Sequence, residues 1–150
     1  MPLDKHGRPI PFHILTQPAT HPATTRMVIK SDGIPQWPVY LDYQAATAGK
    51  AYSPSSLPPI TLGDVLHGIH QEMQTQITHR DWAELGEREE VAIAKAYVKR
   101  YKHSYGHEAR LAADGVKRVD YFLKEVMFNG LNRKNGDQGF DHLKLMVKSK

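Results

Sequence analysis

The hydrophobic periodicity of this chain changes twice along its length. Residues 27–30 and 38–43 have the composition of short strands on either side of a turn. Apolar residues then recur at helical intervals between Leu62 and Tyr105, and strand-like alternation returns at 142–148. This order predicts an α+β domain in which two to three helices cover one face of a mainly antiparallel sheet.

Two capping-box spacings mark the starts of helices. Thr61 and Asp64 precede an amphipathic stretch, and Thr78 and Asp81 precede a shorter one. A third helix is predicted from Glu87 to about residue 105, with acidic residues in its first turn and basic residues in its last. Its core-facing stripe is predicted to consist of Val91, Ala94, Val98, Tyr101 and Tyr105.

The length indicates a single domain spanning residues 1–150, large enough to bury a core. Residues 1–26 predict an extended, proline-rich lead-in, and residues 44–60 predict a loop. The chain has no cysteine, which excludes disulfides and thiolate chemistry, and no apolar segment of signal-peptide or membrane-span length. We therefore expect a cytoplasmic protein with no cofactor and no membrane contact.

Charge is distributed unevenly along the chain. Residues 1–94 contain 7 Lys and Arg against 10 Asp and Glu, whereas residues 95–150 contain 13 against 6. A basic region attracts polyanions, above all nucleic acid, although a solvated surface without a partner is an equal alternative. We expect ribosomal RNA or the ribosome as the partner, without DNA sequence specificity. The lysines predicted to contact RNA are Lys95, Lys99, Lys102, Lys117, Lys144 and Lys148.

Tyr97 and Arg100 lie on one flank of the predicted long helix. A tyrosine ring beside a guanidinium can hold an extruded or single-stranded base by stacking and a charged hydrogen bond. In the structural alternative, Tyr97 covers the edge of the core and Arg100 pairs with a surface carboxylate.

Residues 116–123 and 126–131 are predicted to form a β-hairpin. Arg118 and Asp120 would then share one sheet face, and Tyr40 with Asp42 would share a face of their own strand. One sheet face is therefore expected to gather all four of these residues. Aromatic rings, arginine and carboxylate are the groups that glycosidic-bond cleavage needs. The alternative is an arginine–aspartate pair that only holds the sheet.

Three histidines raise the question of a metal site. His67 and His70 are spaced i, i+3 on the first predicted helix, and His79 is the nearest further ligand in sequence. Histidines on a polar helix face are more often solvated, so no metal site is predicted.

Five motifs follow one another along residues 12–131: "LTQPAT", "WPVYLDY", "ITLGDVLHGIHQEM", an "AY" with a following arginine, and "GVKRVDYF" before "FNGL". As an ordered series they resemble a family of small domains of unknown function from mushroom-forming fungi. That resemblance implies no catalytic residues. The positions that carry it are Trp37, Asp64, Tyr97, Arg100, Gly115, Arg118, Asp120, Phe128 and Gly130.

In size, basicity and lack of cysteine, the chain also resembles mushroom ribosome-inactivating proteins of the edodin kind, which depurinate ribosomal RNA. The helix signature of the plant toxins, a glutamate and an arginine three apart, is not matched, since Glu108 and Arg110 are two apart. The leading hypothesis is an rRNA N-glycosylase. Its alternatives are a non-catalytic protein or nucleic-acid interaction module, and a small-molecule binding protein with its pocket between sheet and long helix.

The N-glycosylase hypothesis gives each candidate residue a role. Two aromatic rings stack the adenine, an arginine assists the departure of the leaving group, and an aspartate stabilises the transition state or activates water. The candidates, in that order, are Tyr97 and Tyr40, Arg100 or Arg118, and Asp120 or Asp42.

Overall fold

The computed structural model describes residues 1–43, 57–133 and 141–149. The strands are β1 (Arg26–Lys30), β2 (Val39–Asp42), β3 (Met127–Arg133) and β4 (His142–Lys148). The α-helices are α1 (Phe12–Leu15), α2 (Leu62–Met73), α3 (His79–Ala83), α4 (Glu87–Lys102) and α5 (Glu108–Ala113). A short 3-10 helix, Arg118–Phe122, precedes β3.

The four strands form one mixed sheet in the order β2-β1-β4-β3. β1 pairs antiparallel with β2 and parallel with β4, and β3 pairs antiparallel with β4. The last described strand therefore lies beside the first, which brings the two ends of the domain into one sheet. The predicted α+β class with a mainly antiparallel sheet is confirmed.

One face of the sheet, the inner face, packs against α2. At Gly68, α2 approaches β2 so closely that a Cβ atom would lie 2.8 Å from a methyl group of Leu41. A larger residue there would require the side chain of Leu41 to move aside. The buried core residues are Met27, Ile29, Ile34, Val39, Ile60, Val65, Met73, Phe122, Leu143 and Leu145.

Both predicted capping boxes are present, Thr61–Asp64 at the start of α2 and Thr78–Asp81 at the start of α3. The Asp64 carboxylate accepts hydrogen bonds from the Thr61 N–H at 2.9 Å and from the Tyr43 hydroxyl, which ties the end of β2 to α2. Burial alone would raise the pKa of Asp64. The hydrogen bonds from Tyr43 and Thr61 outweigh burial, so the pKa lies below its ordinary value.

The predicted hairpin of residues 116–123 and 126–131 is wrong. The 3-10 helix occupies its first strand, and β3 pairs with β4 instead. The Asp120 carboxylate accepts a hydrogen bond from the Lys117 N–H at 2.9 Å, which closes the turn that begins the 3-10 helix. Leu123 then adopts a φ of 58°, and the chain continues into β3.

The predicted core stripe of α4 is also wrong. Ile93 is the buried residue of this helix, whereas Val91 is 51% exposed. α4 packs against the 3-10 helix and α5 with the side that carries Ile93, Tyr97 and Arg100. Because two of these three side chains are polar, hydrophobic periodicity alone selected a different stripe. Tyr105, which was predicted to extend that stripe, lies beyond the end of the helix.

The lead-in over residues 1–26, predicted to be extended, contains one helical turn, α1. The Leu62 N–H donates to the Gln17 carbonyl at 2.9 Å, so the lead-in lies along the start of α2. Of the predicted loop at residues 44–60, residues 44–56 lie outside the described residues.

Candidate functional site

Arg100 and Asp120 form a buried ion pair between α4 and the 3-10 helix. The arginine Nε donates to Oδ1 at 2.8 Å and its Nη2 donates to Oδ2 at 2.9 Å, so the contact is bidentate. Nη2 also donates to the Gly115 carbonyl at 3.1 Å. The Asp120 side chain is 2% exposed, and the Lys117 N–H also donates to its carboxylate. The pair therefore joins α4 to the segment that follows α5.

Tyr97 supports this pair from the same helix. The guanidinium carbon of Arg100 lies 5.7 Å from the centroid of its ring, and its hydroxyl donates to the Ala112 carbonyl at 2.6 Å. The hydrogen bond with Asp120 raises the pKa of Arg100, although burial alone would lower it. Both the ring and the hydroxyl of Tyr97 are thus engaged within the fold.

Arg118 forms a separate ion pair with Glu72 of α2. Its guanidinium carbon lies 5.0 Å from the centroid of the Trp37 ring, and Trp37 meets Tyr121 edge to face at 4.8 Å. Arg118 and Asp120 were predicted to share a sheet face, and that placement is wrong. Each has its own partner, and neither lies on a strand.

Two ion-pair clusters are thus present: one is Arg100 and Asp120 with Tyr97, and the other is Arg118 and Glu72 with Trp37. Lys117 is buried beside them. Its ammonium group donates to the side-chain oxygen of Gln74 at 3.1 Å and lies 3.5 Å from a carboxylate oxygen of Asp114. A phosphate would have to displace both partners, so the geometry disfavours the predicted contact between Lys117 and RNA.

The face of the sheet opposite α2, the outer face, carries a cluster of charged and aromatic side chains. In the strand register Val28 lies opposite Tyr40, and Lys30 lies opposite Lys144. Residues that are paired across neighbouring strands point to the same side, so these side chains form one surface. On β1, β2 and β4 the outer face consists of Arg26, Val28, Lys30, Tyr40, Asp42, His142, Lys144, Met146 and Lys148.

Tyr40 is 68% exposed and projects from the outer face. Arg26 is also well exposed, with its Nε 3.9 Å from a carboxylate oxygen of Asp42, and the Lys144 Nζ lies 2.5 Å from a carboxylate oxygen of Asp32. Ion pairs that remain in contact with water contribute little to stability. Both cations can therefore exchange these partners for the phosphates of a ligand at small cost.

The predicted site residues divide among three places. Tyr40 and Asp42 share a face, as predicted, and Lys144 and Lys148 lie on it with them. The remaining predicted catalytic residues and one lysine lie in the ion-pair clusters; they are Tyr97, Arg100, Lys117, Arg118 and Asp120. Lys95, Lys99 and Lys102 are exposed on α4, in the helical layer.

Sequence reasoning missed Arg26 and Lys30 as members of the outer face. Their strand reads "RMVIK", and its three central residues are all buried. The continuous apolar run hid the alternation, which would have placed both charged residues on the side of Val28.

Within residues 1–43, 57–133 and 141–149, no three His, Asp or Glu side chains are grouped so that they could hold a metal ion. His67 and His70 are exposed on α2. No helix within those ranges is long and apolar enough to cross a membrane.

A model of one protein family matches residues 2–139, and the family is described as one of unknown function. No curated protein and no solved structure matches the chain. The matched range includes both ion-pair clusters and the part of the outer face that β1 and β2 contribute. The chain therefore belongs to DUF6699, a family of unknown function.

Proposed function

We propose that this domain is a non-catalytic module that binds single-stranded RNA on its outer face. The observation that carries the proposal is the exposed ring of Tyr40, which projects from a sheet whose same face is basic. A large exposed aromatic ring on a rigid sheet can stack a nucleic-acid base, and one such stack is worth about 1–3 kcal/mol.

The charges around the ring support a phosphate backbone as the ligand. On β1, β2 and β4, the described residues of the outer face include one acidic side chain, Asp42, and four cationic ones: Arg26, Lys30, Lys144 and Lys148. Lys30 and Lys144 lie opposite each other on neighbouring strands, which brings two positive charges together. Asp32, which pairs with Lys144, is well exposed, so a phosphate can replace its carboxylate there at small cost. A strand of RNA supplies such anions at regular spacing.

Fluorescence anisotropy with a labelled single-stranded RNA of roughly 12 nucleotides tests the proposal. Tyr40→Ala is expected to weaken binding by about 5- to 150-fold, the equivalent of one lost base stack. Phe12→Ala, which removes an exposed aromatic ring from α1, is the matched control and is expected to bind like the native protein. Equal affinities for all three proteins, or no binding by the native protein, would contradict the proposal.

Salt dependence separates phosphate contacts from stacking. Lys144→Gln is expected to reduce the slope of log affinity against log salt by about 0.7, the value for one phosphate contact on a single strand. Tyr40→Ala is expected to leave that slope unchanged, because stacking releases no counterions.

One observation favours the rRNA N-glycosylase as a second candidate function. Tyr40, Asp42 and Arg26 lie together on the outer face, so a ring, a carboxylate and a cation meet at one exposed place. These are the groups for base stacking, transition-state stabilisation and leaving-group assistance. Incubation with intact eukaryotic ribosomes, followed by aniline treatment of the extracted RNA, tests this candidate. A fragment released only after aniline indicates depurination, and no fragment at any dose excludes the activity on ribosomes.

A further inference from the structure

The long helix α4 exposes an apolar strip that the domain does not bury. The strip consists of Val91, Ala94 and Val98, of which Val91 is 51% exposed. These positions follow one another at i, i+3 and i+7, so they lie in line along one side of the helix. They line a shallow groove of about 480 Å³ together with Lys95, Lys99, Lys102 and His103.

Charge along this side of α4 changes sign from one end to the other. Glu87 lies in its first turn, and Lys99 and Lys102 lie in its last. In the part of the chain that the structure describes, none of these three side chains forms an ion pair. The helix thus presents one acidic end, an apolar middle and one basic end.

We infer that this surface binds a second copy of the chain, with the two α4 helices antiparallel about a two-fold axis between residues 94 and 95. In that register Glu87 meets the partner's Lys102, and Val91 meets the partner's Val98. A two-fold interface uses one patch twice and must therefore be complementary to itself, as this one is.

The size of the surface sets the expected strength of the dimer. The 16 residues of α4 span about 24 Å, and the side chain of Ala94 near the axis is small enough for close approach of the helices. One helix pair buries less than the ~1,600 Å² of a standard interface, so we expect a reversible dimer with a dissociation constant in roughly the micromolar range.

An RNA strand fits this surface less well than a second copy. Phosphates would be attracted by Lys99 and Lys102, but they would be repelled by Glu87 at the other end. RNA also gives no reason for the apolar strip between the two ends. The dimer uses all three parts of the surface.

Charge reversal tests the antiparallel register, with sedimentation equilibrium at tens of micromolar protein as the measurement. Glu87→Lys places two lysines against each other in the dimer, and Lys102→Glu places two glutamates together. Each single variant is expected to raise the dissociation constant by about tenfold. The double variant with both changes restores complementarity and is expected to dimerise like the native protein. A monomeric native protein, or a double variant no better than the single variants, would overturn the inference.

The absence of cysteine from the chain permits a second test that does not depend on charge. Ala94→Cys places its thiol beside the same thiol of the second copy across the proposed axis, close enough to form a disulfide. Ala109→Cys, at an exposed position on α5, is the matched control. Mild oxidation is expected to convert most of the Ala94→Cys protein to a covalent dimer and little of the control. Equal yields from the two variants would overturn the inference.

Discussion

Two arginine–aspartate pairs in this molecule share their chemistry and differ in burial. Arg100 and Asp120 meet bidentately at 2.8 and 2.9 Å in the interior, whereas Arg26 approaches Asp42 at 3.9 Å on the outer face. A buried charge must keep its partner because desolvation is costly, while an exposed pair is worth about 0–1 kcal/mol. We therefore expect the buried pair to hold the fold and the exposed pair to remain open to a ligand.

The largest effect is expected from Asp120→Ala. Removal of the carboxylate leaves Arg100 buried without its counter-charge, and it also removes the acceptor for the Lys117 N–H. We expect the free energy of unfolding in urea to fall by about 3–5 kcal/mol.

The matched control for that variant changes both partners. Arg100→Met with Asp120→Leu leaves no lone charge, so this double variant is expected to be more stable than either single variant. If Asp120→Ala instead has the same midpoint of urea unfolding as the native protein, the buried pair does not hold the fold. A functional role for Asp120 would then become the better explanation.

Asp64 is intermediate in burial and is expected to be intermediate in effect. Asp64→Asn weakens the capping box and the hydrogen bond from Tyr43, and we expect a loss of about 2 kcal/mol. Asp81→Asn changes the same residue of the second capping box, which is more exposed and has no tyrosine partner among its side-chain hydrogen bonds. It is the matched control and is expected to lose less.

The lowered pKa of Asp64 adds a pH dependence with a fixed sign. The folded-state pKa of Asp64 lies below the unfolded value of about 3.9. The contribution of the ionised carboxylate to the free energy of unfolding is therefore complete when the pH is well above that value. It is lost as the pH falls below about 4 and through the folded-state pKa. Unfolding curves recorded between pH 6 and pH 2.5 should therefore show a smaller loss of stability for Asp64→Asn than for the native protein. Parallel curves for the two proteins would contradict the assignment.

The strands, the helix starts and the pairing of Tyr40 with Asp42 on one face could be predicted from the sequence. Those features depend on local spacing, which alternation and capping boxes report directly. They include part of the proposed RNA surface, because Tyr40, Asp42, Lys144 and Lys148 are predicted site residues.

The remaining features could not be predicted because they depend on contacts between distant parts of the chain. "GVKRVDYF" alternates like a strand, and only the pairing of Asp120 with Arg100, 20 residues earlier, shows that its charged residue belongs inside. The same contact determines which side of α4 faces inward. A partly buried arginine adds nothing to the hydrophobic periodicity, so that periodicity favours the more exposed stripe of α4.

Most positions that carry the resemblance have structural partners. Asp64 caps α2, Arg100 and Asp120 form the buried pair, and Arg118 lies against Trp37. These positions therefore contribute to the fold of the domain.

The smallest effect on stability is expected from Asp42→Asn, and the same variant separates the two candidate functions. Loss of an exposed ion pair should change the free energy of unfolding by less than about 1 kcal/mol. Removal of a negative charge beside the RNA should strengthen binding by up to about fivefold, since two charges 4 Å apart in water interact by ~1 kcal/mol.

Asp32→Asn removes an exposed carboxylate beside Lys144 and is the matched control. If the domain only binds RNA, both variants bind at least as tightly as the native protein, and none of the three proteins yields an aniline-dependent fragment from ribosomes. If the native protein does yield that fragment and Asp42→Asn alone has lost it, Asp42 acts in catalysis, and the exposed pair is the site of an N-glycosylase.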